Sequence, residues 1–452
     1  MPSSNTAIDA FLDAHLDSYI AETARLCAQP SVSAQGVGMQ ACADLVGTLL
    51  AAHGLTVTQF PTPGNPIVVG RAAGRSARTL LFYNHYDVQP AEPLELWTTP
   101  PFAPEVRQGA LYARGAKDDK GELVARLAAL DAVRAAHGGG LPCGVVFVVE
   151  GEEEIGSPHI AQFVQEHRDQ LSCQGAIWEE GGIDSEGRAV ISIGKRGILY
   201  VELAVETLRR DAHSGAASVL PNAAWRLLGA LTSLRDPAGR IRIPGFYESA
   251  RPPSARDREL PAALPSDEAE MRADFGVDTF VNGVTGEAFK AAVFEPTCNI
   301  AGLGAGYQGA GMKTVIPARA TAKVDFRLVP DQDPDVIFAQ LRRHLDAEGF
   351  ADVTVTRLGA MWPAMSPADD PLVALTARTG TEVYGRPALL TPLTGGSSPV
   401  YAFAGPLGIP VVTAGVGYPD SRTHAPDEHV RLPDFVQAAR HIARILDGFA
   451  TL

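Results

Sequence analysis

The chain carries histidines and carboxylates in short clusters that could hold metal ions and move protons. The densest is Glu150-Gly151-Glu152-Glu153-Glu154-Ile155-Gly156-Ser157-Pro158, which follows the apolar run 145–149. Carboxylates this close repel one another unless they point apart into water or cations neutralise them. A second cluster is Tyr83-Asn84-His85-Tyr86-Asp87-Val88-Gln89-Pro90. On extended chain His85 and Asp87 point to the same side. A carboxylate there can hold the far ring nitrogen of a ligating imidazole; the alternative is a His–Asp pair in a polar loop. The third, Ala113-Arg114-Gly115-Ala116-Lys117-Asp118-Asp119-Lys120-Gly121, opens a helix. One aspartate there suits an N-cap; both cannot cap the same turn, so the other is free to act. Ile177-Trp178-Glu179-Glu180-Gly181-Gly182 and Ser421-Arg422-Thr423-His424-Ala425-Pro426-Asp427-Glu428 complete the set. Taken singly, each reads as a solvated turn. Together they sit at strand ends or in the loops that follow, and open α/β sheets bind ligands at the C-terminal rim of their strands. Histidines with carboxylates and no cysteine suit Zn²⁺, and also Mn²⁺ or Co²⁺. About five ligands with a spare glutamate suit a two-metal site.

Something must bring these clusters to one rim. Helical spacing of apolar residues predicts helices over 7–28, 38–53 and 120–137, with strands near 56–60, 67–71, 79–83 and 145–149. A helix over 160–171 and strands at 176–178 and 189–193 continue the alternation, which argues for an α/β domain with a mainly parallel sheet. From 198 the texture changes. Strands with alternating faces (199–205, 321–329, 353–358) and helices at 222–234 and 334–345 suggest a smaller α+β domain; 235–278 reads as an irregular insertion. The βα pattern resumes with a helix over 371–384, a strand near 389–391, a helix over 399–404, a strand over 410–414 and a final helix from 433. The expected division is 1–197 with 363–452 as the catalytic domain, helices on both faces of its sheet, and 198–362 as an inserted domain.

The 452 residues include 46% hydrophobic and 20% charged, a globular composition. The net charge of −14 argues against nucleic acid and against an anionic membrane surface as partners. The cysteines, Cys27, Cys42, Cys143, Cys173 and Cys298, are odd in number, scattered and without CxxC, which predicts free thiols in a reducing compartment. No signal-peptide pattern opens the chain and no apolar run approaches about 18 residues, so a cytoplasmic location is expected. Gly304-Ala305-Gly306-Tyr307-Gln308-Gly309 matches GxGxxG, but 312–317 is not a helix, so a dinucleotide site fails its context. Ser397 has no histidine nearby in sequence to partner it as a nucleophile. The Gly395-Gly396 turn could instead offer backbone N–H groups to a substrate carboxylate.

In this order, the motifs resemble the di-zinc exopeptidase family of carnosinase-type dipeptidases, aminoacylases, related deacylases and glutamate carboxypeptidases. The specific marks are His85-x-Asp87-Val-Gln-Pro, Asp118-Asp119-Lys120-Gly121, Glu153-Glu154 before Gly156-Ser157, and His424. Lys313-Thr314-Val315-Ile316-Pro317, Arg327-Leu328-Val329-Pro330 and Asp211-Ala212-His213-Ser214-Gly215 are most similar to the dipeptidase branch. The resemblance implies two divalent cations, zinc or else manganese or cobalt. His85, Asp118 and Glu179 would bind one; Asp118, Glu154 and His424 the other. It further implies Asp87 as the group orienting His85, Glu153 as general base, and a cis peptide at Asp118–Asp119. The inserted domain would be a lid through which a homodimer forms, with His213 stabilising the oxyanion in the neighbouring site. Arg327, Asn299, Gly395, Gly396 and Ser397 would hold a small peptide substrate. Two departures stand out: Leu393-Thr394 replaces an Arg-Glu pair, and Glu179 stands where many dipeptidases have Asp, with Glu180 beside it.

The resulting expectation is a dipeptidase releasing a C-terminal amino acid. An N-acyl-amino-acid amidohydrolase or a carboxypeptidase is the nearest alternative, and a non-catalytic binding homologue is the alternative from another class.

Overall fold

The structure is a computed structural model and describes residues 4–452. It divides into two compact units, Met1–Gly194 with Met365–Pro392 and Pro399–Leu452, and Lys195–Ala364 with Leu393–Ser398.

In the first unit a six-stranded sheet runs in the order Thr56–Phe60, Ile67–Ala72, Gly144–Glu150, Thr79–His85, Gly175–Trp178, Val411–Thr413. The first two pairings are antiparallel and the remaining three parallel. Every residue of Gly144–Glu150 is buried, as expected where helices cover both faces of a parallel sheet and a valine run can be apolar throughout. Neighbouring side chains on a strand point to opposite faces. On one face the Arg126 guanidinium, from the helix Lys120–Ala136, lies 6.0 Å from the Phe82 ring. On the other, Tyr83 meets Phe403 of the helix Val400–Leu407 edge-on at 5.3 Å. Parallel pairing sends His85, Glu150 and Glu179 to the same rim.

The helix Ser4–Ala28 is stopped by Gln29-Pro30, and its last carbonyls would lack partners. Lys120 Nζ supplies them, donating to Leu26 O at 3.1 Å and Gln29 O at 2.7 Å. The same contact fixes the start of the helix that follows Asp118-Asp119. In the second unit the strands Thr297–Ala305, Arg319–Leu328, Gly197–Glu206 and Thr354–Met361 form an antiparallel sheet. Its alternating inner face, Leu199, Val201 and Leu203, packs in one cluster with Leu227 and Ala230 of Ala223–Ser233 and Ile337 and Leu341 of Pro334–Ala347.

Two stretches depart from the sequence expectation. Residues 235–278, read as irregular, contain the helices Ala255–Ala263 and Glu268–Phe275. The first opens with a capping box between Ser254 and Asp257, a signal obscured by Pro261 inside the helix. The strand Thr297–Ala305 was not expected, because Gly302 and Gly304 break its alternation; it lies at the sheet edge, where such residues are tolerated.

His441, in the C-terminal helix Leu432–Phe449, donates from Nε2 to Thr376 O at 2.9 Å. Burial, with Arg444 adding, pushes its imidazole down to about 4 from 6.5, against the pull of the Thr376 carbonyl. The fold therefore prefers the neutral ring. This contribution is full above the unfolded value near 6.5 and is lost as pH falls towards 4. Between pH 7 and pH 5 the protein should lose about 2 kcal/mol more stability than a His441→Gln variant. Urea melts at the two pH values measure this, and equal losses would contradict it.

Candidate functional site

His85 ends its strand and is buried. Its Nδ1 donates to the Asp87 carbonyl at 3.0 Å, with Asp87 Oδ1 at 3.4 Å. The same Asp87 carboxylate accepts the backbone N–H of Glu153 at 3.2 Å and of Glu154 at 3.0 Å. One aspartate thus sets both the ring of His85 and the turn that carries the two glutamates, a double role that sequence spacing did not disclose.

The peptide Asp118–Asp119 is cis. Neither aspartate caps the helix: Asp119 makes no side-chain cap bond. Its Oδ2 instead accepts Asn84 Nδ2 at 2.6 Å and His85 N at 3.0 Å. Asp118 Oδ1 lies 3.1 Å from His85 Nε2 and its Oδ2 lies 3.0 Å from His424 Nε2. Burial opposes a charge on Asp118, yet Lys117, His424 and His85 together hold its carboxyl well below the usual range. His424 sits half-exposed at φ +62°, in a loop where Arg422 and Asp427 also adopt positive φ. Its partners Asp118 and Glu154 raise it to about 10.

The glutamate run separates by role. Glu154 Oε2 lies 3.3 Å from His424 Nε2 and accepts Gln89 Nε2 at 2.8 Å. Burial, with Asp118 and Glu154 adding against the pull of His85, pushes Glu153 up to about 7. Glu150 takes bonds from Tyr83 Oη and Ser157 Oγ, and burial pushes it up to about 8. Glu152 is only 5% exposed, accepting His159 Nδ1 at 2.6 Å and Asn65 N at 3.2 Å. The His159 partner falls seven residues on, beyond the local motif.

Glu179 is buried while Glu180 is only half-buried. Glu179 Oε1 accepts the Trp178 indole N–H at 2.9 Å. Burial, with Glu153 adding, holds its carboxyl well above the usual range. Trp178 stacks on Tyr83 at 3.7 Å. Arg126 donates to the Tyr83 and Trp178 carbonyls and to Asn84 Oδ1, tying the two strand ends that carry His85 and Glu179. Arg126, Arg114 and Glu428 were not singled out from sequence, since only the tertiary fold distinguishes a buried charge from a solvated one.

These residues fit divalent cations. His85, Asp118 and Glu154 offer ligand atoms that all lie within 4.8 Å of one another. With Nδ1 of His85 donating to Asp87, a neutral ring turns a lone pair at Nε2 towards the Asp118 carboxylate. Such an arrangement needs a proton or a cation between the two groups. Among the described residues, Glu154 Oε1 and Glu179 Oε2 are buried with no hydrogen-bond partner. That state is costly for a carboxylate, and a cation relieves it.

The remaining predicted residues belong to the second unit. Arg327 Nη1 donates to Ser397 Oγ at 2.9 Å, and Asn299 Nδ2 to Asp325 Oδ2 at 2.8 Å. Gly395 and Gly396 are exposed. His213 is exposed as well, and its Nδ1 accepts Gly215 N at 3.0 Å. In the neutral ring this places the hydrogen on Nε2, a donor.

Among solved structures, a family M20 metallo-carboxypeptidase from Sulfolobus solfataricus superposes with a TM-score of 0.89 at 33% identity, covering 96% of this chain and 99% of that one. A Beta-Ala-His dipeptidase of Rattus norvegicus is 30% identical over 64% of this chain and 59% of its own length; the chain thus spans about three-fifths of that relative. A Cys-Gly metallodipeptidase of Candida albicans is 28% identical over 84% of this chain and 81% of its own. The family described as Peptidase family M20/M25/M40 matches residues 81–448, and the chain belongs to that family.

Proposed function

We propose that this protein is a metal-dependent dipeptidase that releases a C-terminal amino acid. The observation that carries the reading is the Asp118 carboxylate, which turns one oxygen to His85 and the other to His424. In the proposed site His85, Asp118 and Glu179 hold one cation, and Asp118, Glu154 and His424 hold a second. Zinc is the proposed ion, because an N/O donor set with two imidazoles suits it, with manganese or cobalt as substitutes. When bound, two such cations acidify a water and polarise the scissile carbonyl. Asp87 fixes the His85 ring. Glu153 takes the proton of the attacking water on a carboxylate oxygen and delivers it to the leaving amine nitrogen. Arg327, Asn299 and the Gly395–Ser397 turn hold the peptide.

The unit around 198–362 is proposed as a lid through which two copies pair, with His213 donating from Nε2 to the oxyanion of the neighbouring site. Its exposed ring supports this role, with Nδ1 taken by Gly215 N and Nε2 3.4 Å from Thr314 Oγ1. A cytoplasmic home is proposed from the free, buried cysteines; among the described residues no helix is long and apolar enough to cross a membrane.

A second reading, a carboxypeptidase acting on longer or N-blocked chains, is favoured by the likeness to the Sulfolobus enzyme. A panel of free dipeptides, N-acyl dipeptides and N-acyl amino acids, assayed with added Zn²⁺ or Mn²⁺, separates the two. Free dipeptides should be the best substrates. Preference for N-acyl substrates would overturn the dipeptidase reading, and chelator-insensitive turnover would overturn the metal reading.

A further inference from the structure

Glu428 takes part in none of the chemistry assigned above, yet it is fully buried four residues beyond His424. Its Oε1 accepts the backbone N–H of Lys117 at 3.0 Å and of Asp118 at 2.9 Å. Its Oε2 accepts Gly115 N at 3.1 Å and Arg114 Nη1 at 2.6 Å. These donors fill the acceptor capacity of one carboxylate. The Glu428 carbonyl in turn accepts Ala113 N at 3.1 Å. The residue is therefore stitched along both edges to the segment 113–118.

The loop that carries His424 is also held by Asp427, which accepts Thr98 N at 3.0 Å, Thr98 Oγ1 at 2.7 Å and Arg107 Nη2 at 3.1 Å, and by His429 N donating to Ser421 O at 3.1 Å; none of these bonds reaches the segment 113–118. His424 itself is half-exposed. By contrast the opposite side of the site is held independently, by the bonds of Asp119 to Asn84 and to the His85 backbone.

We infer that Glu428 is a positioning residue that locks the His424 loop to the Asp118 peptide and so sets the geometry of one cation position, the one between Asp118, Glu154 and His424. This rests on the two-cation reading above. The ion pair with Arg114 at 2.6 Å favours the charged carboxylate, which backbone N–H groups bind more strongly than a neutral acceptor. Glutamine in its place would keep the size but turn an amide N–H₂ towards backbone donors. The loop and the Asp118 peptide would then separate, while the His85 side stays in place.

The test is titration of metal-free protein with Co²⁺, followed by calorimetry and visible absorption, for wild type and Glu428→Gln. Wild type should bind two cations; binding of fewer would overturn the two-cation reading itself. Given two, the variant should hold one of them about 10–100-fold more weakly, with an altered visible band for that ion and a normal band for the other. Both affinities within about threefold of wild type would overturn the inference. Should Glu428→Gln fail to give a cooperative melt, Glu428→Asp is read on the same criterion. It keeps the charge but is a methylene too short to reach both edges.

Discussion

Glu153→Gln is expected to lower kcat by about 10²–10⁴-fold with cation content unchanged. The substitution keeps shape and removes only the group that can accept a proton. The backbone N–H of Glu153 still donates to Asp87 at 3.2 Å, so the turn and the neighbouring Glu154 stay in place. Turnover and elemental analysis on the same preparation check this. Near-normal turnover would remove Glu153 from the role of base. Loss of a cation would show that Glu153 and Glu154 have been assigned each other's roles.

Asp118→Ala should abolish both cations, whereas His424→Ala should cost only one. The reason is geometric: one carboxylate faces both imidazoles. Losing both cations forfeits several kcal/mol of transition-state stabilisation, roughly 10³-fold or more in kcat/KM. Stability should respond as well. Lys117, His424 and His85 hold the Asp118 carboxyl well below the usual range, so its charge stabilises the metal-free fold, and the metal-free variant should melt at a lower Tm than metal-free wild type. The rise in Tm that Zn²⁺ gives the wild type, by binding the folded state alone, should vanish. Thermal melts with and without Zn²⁺ measure both effects. A preserved zinc-dependent rise would place the cations elsewhere.

Much of the fold was legible because its signals are local. The valine run before Glu150 reads as a buried strand, and the apolar spacing of 371–384 reads as the helix Pro371–Tyr384. The candidate ligands were legible because each cluster follows such an element. What holds the ligands was not. Asp87 serves the Glu153–Glu154 turn, Glu428 serves the peptide of Asp118, and Arg126 serves the ends of two strands; each pairing spans 40 or more residues and exists only once the sheet has formed. A buried charge carries no mark in sequence that separates it from a solvated one. Glu152 illustrates the point, since an acidic side chain beside glycine reads as surface and is instead buried against His159.

The central claim is that one carboxylate, Asp118, serves two cations. Anomalous scattering from crystals of the zinc-loaded protein tests it most directly. Two peaks about 3.5–4 Å apart, one on each side of the Asp118 carboxylate, between His85 and Glu179 and between Glu154 and His424, are the predicted result. A single peak, or two peaks that do not share Asp118, would contradict it.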